Sequence, residues 1–216
     1  MSVTYTPKDL FAGHFPVATD IGTLAAGAGN LTRGSVLGRV NLGDSSVAAG
    51  AGNTGNGTCT KDATTPILAS AMVGDYVITC TTAHNDTGPV AAIFTVVAPD
   101  GTTLGTHTEG GTAFATQIKF AIAAGSADFV LGDKFVFTIA EGSGELKLIT
   151  SAATDGSQNA YAILADDYDA SSAAKSVAVY MTGEFNADAL TVGSGISLPI
   201  IRHALATRNI YVRNLI

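Results

Sequence analysis

Gly-Asp followed by an alternating run occurs twice in this chain, as Gly74-Asp75-Tyr76-Val77-Ile78-Thr79 and as Gly132-Asp133-Lys134-Phe135-Val136-Phe137-Thr138. Gly-Asp forms a turn, and the alternation after it sends every second side chain to one face, the period of a strand with one buried side. The two runs read as equivalent strands of a small β-sandwich and not as a gene-level repeat. Around them, strands are expected at residues 58–60, 75–82, 91–97, 117–122 and 134–140. The turn Pro99-Asp100-Gly101 sets off a further strand-like stretch, 102–106.

Composition agrees. The apolar residues are mostly Ala, Val and Ile, with 25 Gly and no Trp, which favours strands joined by tight turns. With 46% hydrophobic and 13% charged residues, the chain has the opposite profile to an unfolded segment. Lys and Arg total 11 against 18 Asp and Glu, a formal charge of -7 without a basic cluster. Binding to nucleic acid, which relies on neutralising phosphates, is therefore not expected. A membrane partner is not expected either, because the longest apolar candidate, residues 90–98, is interrupted by Thr95 and bounded by Pro89 and Pro99. The start, MSVTYTPKDLFAGHFP, lacks a basic residue cluster followed by an apolar run, so the reading is a soluble protein made in a cytoplasm.

Four regions differ in character. Residues 1–23 show no sustained period and mix Tyr5, Leu10, Phe11 and Phe15 with Pro7 and Pro16. Two readings stand for them: an extended arm that docks on something, or a terminus with no fixed structure. Residues 34–40 form a short strand after the polar turn Gly29-Asn30-Leu31-Thr32-Arg33. From about 43 to 144 the composition turns Gly/Thr/Asn-rich, opened by the glycine run 50–57 and closed by Glu141-Gly142-Ser143-Gly144, as suits a domain inserted into a surface loop through flexible junctions. Helix is scarce: Ser197 is placed to cap 198–207, with Pro199 in the first turn and Ile200, Ile201, Ala204 and Leu205 on one face. A short turn is expected at 186–190, and the alternating end 210–216 should rejoin the first domain's sheet.

The chemical motifs point away from catalysis. Gly50-Ala51-Gly52-Asn53-Thr54-Gly55 matches G-x-G-x-x-G, but that fingerprint holds a dinucleotide only between a strand and a helix N-terminus. Here it runs into Asn56-Gly57-Thr58-Cys59-Thr60, a turn entering a strand, so no cofactor is expected. Asp166, Asp167 and Asp169 lack the glycine turn and distal Glu of a calcium loop and read as a solvated acidic loop, with no metal expected. His14, His84, His107 and His203 are scattered, and none is placed beside a nucleophile with an orienting carboxylate. No catalytic residue is assigned. Cys80 shares a face with Tyr76 and Ile78, so it reads as a small buried apolar residue, with a cross-strand disulfide to Cys59 the alternative. The sequons at Asn30, Asn56 and Asn85 read as chance matches.

The stretch 154–190 carries a family resemblance. Thr154-Asp155-Gly156 leads into Ala162-Ile163-Leu164-Ala165; an acidic connector, 166–176, follows; Val177-Ala178-Val179-Tyr180 is closed by Thr182-Gly183-Glu184-Phe185. This order, with Arg33-Gly34-Ser35-Val36-Leu37-Gly38-Arg39-Val40 earlier, resembles the head decoration proteins of lambda-like bacteriophages. The resemblance covers about 1–42 and 145–216. It implies a mainly β fold: a small decoration-protein body with a short helix (24–42 and 145–216), preceded by a capsid-binding arm (1–23). An inserted immunoglobulin-like β-sandwich (43–144) splits that body, and in shorter family members 34–40 and 145–149 lie close in sequence, as paired strands. It further implies a homotrimer that binds the major capsid protein on the outside of an expanded shell and holds it against packaged DNA, without catalysis. Thr4, Tyr5, Leu10, Phe11 and Phe15 would serve the arm, strand addition taking affinity from the backbone and specificity from alternate side chains. Phe185, Leu190, Ile200 and Leu205 would make trimer contacts. A reading of another class is a β-modular adhesin binding carbohydrate or a host surface through the insert; the absence of Trp, the usual platform for sugar rings, weighs against it.

Overall fold

The structure, a computed structural model, describes residues 9–85 and 90–214. It is mainly β. The chain opens with β1 (Ala18–Leu24), β2 (Asn30–Leu31) and β3 (Val36–Arg39). It continues through β4 (Leu42–Ala49), β5 (Thr58–Lys61), β6 (Gly74–Thr82), β7 (Ile93–Val97), β8 (Thr103–Thr108), β9 (Phe114–Ala115), β10 (Lys119–Ala123) and β11 (Lys134–Glu141). It closes with β12 (Leu146–Leu148), β13 (Ala160–Leu164), β14 (Tyr168–Asp169), β15 (Lys175–Asn186), helix α1 (Leu198–Ala206) and β16 (Ile210–Arg213). These fall into two compact units: Met1–Asn41 with Ser143–Ile216, and Leu42–Gly142.

The discontinuous unit is a ring of strands with one flank covered. Its sheet runs β1-β12-β3-β13-β15-β16, and a further pairing of β1 with β15 closes the first five strands on themselves. The pairing of residues 34–40 with 145–149 appears as the antiparallel ladder β3–β12, Leu37↔Leu148 to Arg39↔Leu146. Inside the ring, Leu24, Leu37, Leu146, Ala162, Leu164, Val177 and Val179 share one core. On the other side Val36, Ile163 and Phe185 pack against Ile201 and Leu205 of α1 and Ile210 and Val212 of β16. Because β3 and β13 are covered on both faces, their sequences are near-continuous apolar runs and not alternating ones. Gly38 is required there, since a Cβ on it would sit 1.9 Å from the Ser157 carbonyl oxygen.

The segment expected to be an extended arm through residue 23 is, from Leu10 onward, laid along β15. All seven residues of β1 pair antiparallel to it, from Ala18↔Thr182 to Leu24↔Lys175. Further out, Phe11 bridges Phe185, the Ala12 amide donates to the Glu184 carbonyl at 2.8 Å, and the Asn186 amide donates to Leu10 at 2.9 Å. Only Leu24 of β1 is buried, so the strand carries almost no apolar alternation; backbone pairing holds it.

The continuous unit stacks two antiparallel sheets. The larger runs β4-β11-β6-β7-β8 and the smaller β5-β10-β9. Tyr76, Ile78, Phe94, Val96, Phe135, Phe137 and Ile139 of the first share a core with Phe114, Phe120 and Ile122 of the second, and with Phe129. The two Gly-Asp strands, β6 and β11, are direct neighbours, Asp75 opposite Thr138 and Thr79 opposite Lys134. The unit's ends lie side by side, Leu42 paired with Glu141.

The glycine run 50–57, expected as a flexible junction, is instead tied down. Asp133 accepts from the amides of Thr54 and Gly55, both at 2.8 Å, and of Val130 at 3.0 Å. Asn53 exchanges side-chain bonds with the Lys134 backbone, and Asn56 accepts from the Ala127 amide at 2.8 Å. The physical reason is the aspartate of the Gly-Asp turn, a buried acceptor that needs donors and takes them from the glycine-rich backbone.

Candidate functional site

Two surfaces collect the residues expected to act in attachment: the root of the N-terminal segment on β15, and helix α1. Thr4 and Tyr5 lie outside the described residues. Leu10 is buried, and the Phe11 ring lies 5.4 Å from Phe185 and 5.2 Å from Tyr180, with the Arg33 guanidinium 6.0 Å from its centroid. Phe15 meets Tyr211 edge to face at 4.8 Å. Between them the Thr182 hydroxyl donates to Pro16 and accepts from the Ala18 amide. Leu10, Phe11 and Phe15, expected to contact a capsid, thus contact their own chain here. Their apolar area is satisfied by Phe185, Tyr180 and Tyr211, the last two half-buried residues that the segment helps to cover.

On the helix, the expected single apolar face divides in two. Ile201 and Leu205, four apart, point into the core. Ile200 and Ala204, one position earlier on the same turns, point out, and Ile200 is 73% exposed. Ser197 takes the cap position with extended backbone, but its hydroxyl makes no capping bond. The expectation that Phe185 and Leu205 meet a partner subunit gives way, since both are 0% exposed within the chain. Leu190 is half-buried against the same core, just past the 3-10 turn Ala187–Ala189. Ile200 is the member of the set that keeps a free apolar surface.

The remaining groups are occupied locally. The G-x-G-x-x-G amides of Thr54 and Gly55, which a phosphate would need, are taken by Asp133. Burial alone would push that carboxyl up, but the bonds from Thr54, Val130 and Gly55 outweigh it and hold it below the usual carboxylate range. In the acidic loop, Asp167 accepts from the Arg33 amide at 2.7 Å, Asp169 from Ser171 and Asp166 from Asp167. The three carboxylates are turned onto nearby backbone, and among the described residues no cluster of three or more His, Cys, Asp or Glu could hold a metal ion. His107 is buried with Nε2 accepting from the Ile122 amide at 3.1 Å, which burial favours by lowering its proton affinity. Both cysteines are free thiols. Burial pushes Cys59 up to about 12, and it also raises Cys80.

A cleft of about 510 Å³ that the sequence reading missed opens between β1 and the start of β12, lined by Asp20, Thr23, Arg39, Glu145, Tyr161 and Met181. It exists because β1 meets β12 at the single pair Leu24↔Leu146. The Tyr161 ring at its wall lies 5.6 Å from the Arg39 guanidinium and 4.4 Å from that of Arg208. No local pattern announces such a site, which is assembled from five separate segments.

With this geometry in place, comparison with known proteins decides the family. The bacteriophage lambda head decoration protein D family matches residues 6–209, from the N-terminal segment to the turn before β16. The chain belongs to that family. Head decoration proteins of this family are structural and non-enzymatic, and membership supports a structural role on a phage capsid. The matched span runs across the middle unit, wider than the two outer portions on which the sequence resemblance rests. No curated protein matches the chain. Among solved structures, two crystal forms of FlgL from Xanthomonas campestris align over 50% of this chain and 33% of theirs, at 21% and 22% identity and a TM-score of 0.32. The match thus spans about one third of the length of FlgL.

Proposed function

We propose that this decoration protein binds the outer surface of an expanded capsid as a homotrimer and stabilises the shell against the pressure of packaged DNA. Membership of the head decoration family is the observation that carries the reading. Residues ahead of Leu10, Thr4 and Tyr5 among them, reach the major capsid protein by adding a strand to it. Leu10 and Phe11 fix the root of that arm to β15, and Phe15 packs on Tyr211 of β16, so the arm starts from a set place. Trimer contacts come from the outward side of α1 around Ile200, and from the half-buried Leu190. The middle unit is an insertion in the decoration body, which the pairing of Leu42 with Glu141 favours because both ends return to one place.

The test is reconstitution. Expanded capsids lacking the protein are incubated with the purified chain, imaged, and heated beside undecorated shells. Regular threefold density on the outside and a raised temperature of DNA release support the reading; unchanged shells, with the protein left in the supernatant, overturn it.

A further inference from the structure

The outer face of the five-stranded sheet has a layout that fits a second copy of itself. The inward residues of β6 and β11 fill the core, so Asp75, Val77 and Thr79 and, opposite them, Thr138, Val136 and Lys134 share the outer face. Pairing extends the middle row across four strands as Ala48, Val136, Val77 and Val97. Val77 is 37% exposed, and Ala48, on the far side of Val136, is exposed as well. Along the strands, one flank of this row is acidic, carrying Asp75 and the exposed Asp44 of β4. The opposite flank carries Lys134, whose stem lies over Gly50 and whose ammonium makes no ion pair among the described residues.

We infer that two copies meet through this face, the valine rows opposed and each Lys134 set against Asp44 and Asp75 of the partner copy. Acid at one end, base at the other and an apolar row between them is a self-complementary pattern. A twofold axis lying in the interface, across the strands, exchanges the two ends and places Val77 on its own copy. Sheets packed face to face in this way bury alternate residues of both faces, here the Val and Thr set. Charge selects the partner: residues 42–142 hold nine carboxylates against three lysines, -6 of the chain's -7, so a basic or neutral partner would leave Lys134 unmatched, whereas a second copy offers it Asp44 and Asp75. The same imbalance sets the conditions, since two such units repel at long range and associate better once salt screens everything beyond contact. Such pairing would link units independently of the helix-mediated contact, and it needs no capsid.

The test uses the full chain in solution, so its outcome is separate from capsid binding. Val77→Cys under mild oxidation should give a reducible band at twice the chain mass that the parent chain does not give. Val77→Asp should sediment as a smaller species than the parent at about 0.5 M salt, where screening is strong, and the difference should shrink at about 0.05 M. Lys134→Asp should weaken association about tenfold, and adding Asp75→Lys in the same chain should restore most of it. Unchanged melting of each variant confirms folding. Absence of the cross-link, together with identical sedimentation of parent and Val77→Asp, overturns the proposal; so does a double swap no better than Lys134→Asp alone.

Discussion

Phe11 and Phe185 are bonded twice over: their backbones form an antiparallel bridge, and their rings lie 5.4 Å apart, tilted by 34°. Phe185 is fully buried and Phe11 half-buried, so the N-terminal segment acts as the outer wall of the second core of the ring unit. Replacing Phe11 with Ala removes that wall and should cost about 2 kcal/mol, at the low end for a large-to-small change because the ring is partly exposed. Faster amide exchange at Ala12 and Asn186, whose bonds flank the bridge, is the local readout; exchange confined to other strands would show the bridge to be idle.

Truncations should separate attachment from stability. Deleting residues 2–8 should abolish capsid binding and leave the melting temperature near that of the parent. Deleting 2–16 should abolish binding and also lower the melting temperature by several degrees, because Leu10 and Phe11 leave the core with it. Equal melting temperatures for the two truncations would refute the anchoring role of Leu10 to Phe15.

Asp133 gives the middle unit an acid-sensitive lock. Its carboxyl is held below the ordinary value, so the stabilisation is present at neutral pH and down to about pH 4, and is lost as pH falls through the lowered value. Asp155, bonded to Ser157 and Lys147 in the ring unit, shifts in the same direction despite its burial, with the same pH window. Asp133→Asn should cost about 1 to 3 kcal/mol at pH 7 by leaving an amide without its acceptor. Denaturant titrations at pH 7 and near pH 3 should show the gap between parent and variant closing in acid; a gap constant with pH would mean that the ionised form is not what ties the loop.

Both thiols should be inert in the folded chain. Cys59 is raised to about 12 and Cys80 donates to the Thr82 carbonyl at 3.1 Å. At pH 8 a thiol reagent should label neither residue in native protein and both in denaturant. Fast labelling of folded protein at Cys59 would show that the smaller sheet opens, and at Cys80 that the core between the two sheets does.

Much of this architecture was legible because its signals are local. The turns ahead of β6 and β11 and the extent of α1 are each announced by a few consecutive residues, whereas the β3–β12 pairing, between segments more than 100 residues apart, was legible only through the family resemblance. What was not legible is set by partners far along the chain. The sequence Ala-Thr-Asp-Ile-Gly-Thr-Leu of β1 shows no apolar period, since its single buried side chain, Leu24, leaves the strand to be fixed by β15 more than 150 residues away. The same holds for 50–57, where glycine content indicates freedom and only Asp133, some 80 residues later, removes it. On α1, a shift of one residue, about 100° round the helix, decides that Ile201 is core and Ile200 is surface. The assignment of Phe185 and Leu205 to an interface failed for that kind of reason: apolar type was readable, direction was not.

The pairing of Leu42 with Glu141 has a consequence for how the chain can be re-engineered. A unit that leaves and returns through neighbouring positions of one ladder presents a fixed seam, and any other strand-rooted module with the same seam would fit between Asn41 and Ser143. Replacing residues 42–142 as one block would leave every ladder of the ring in place, because all of its strands lie outside that span.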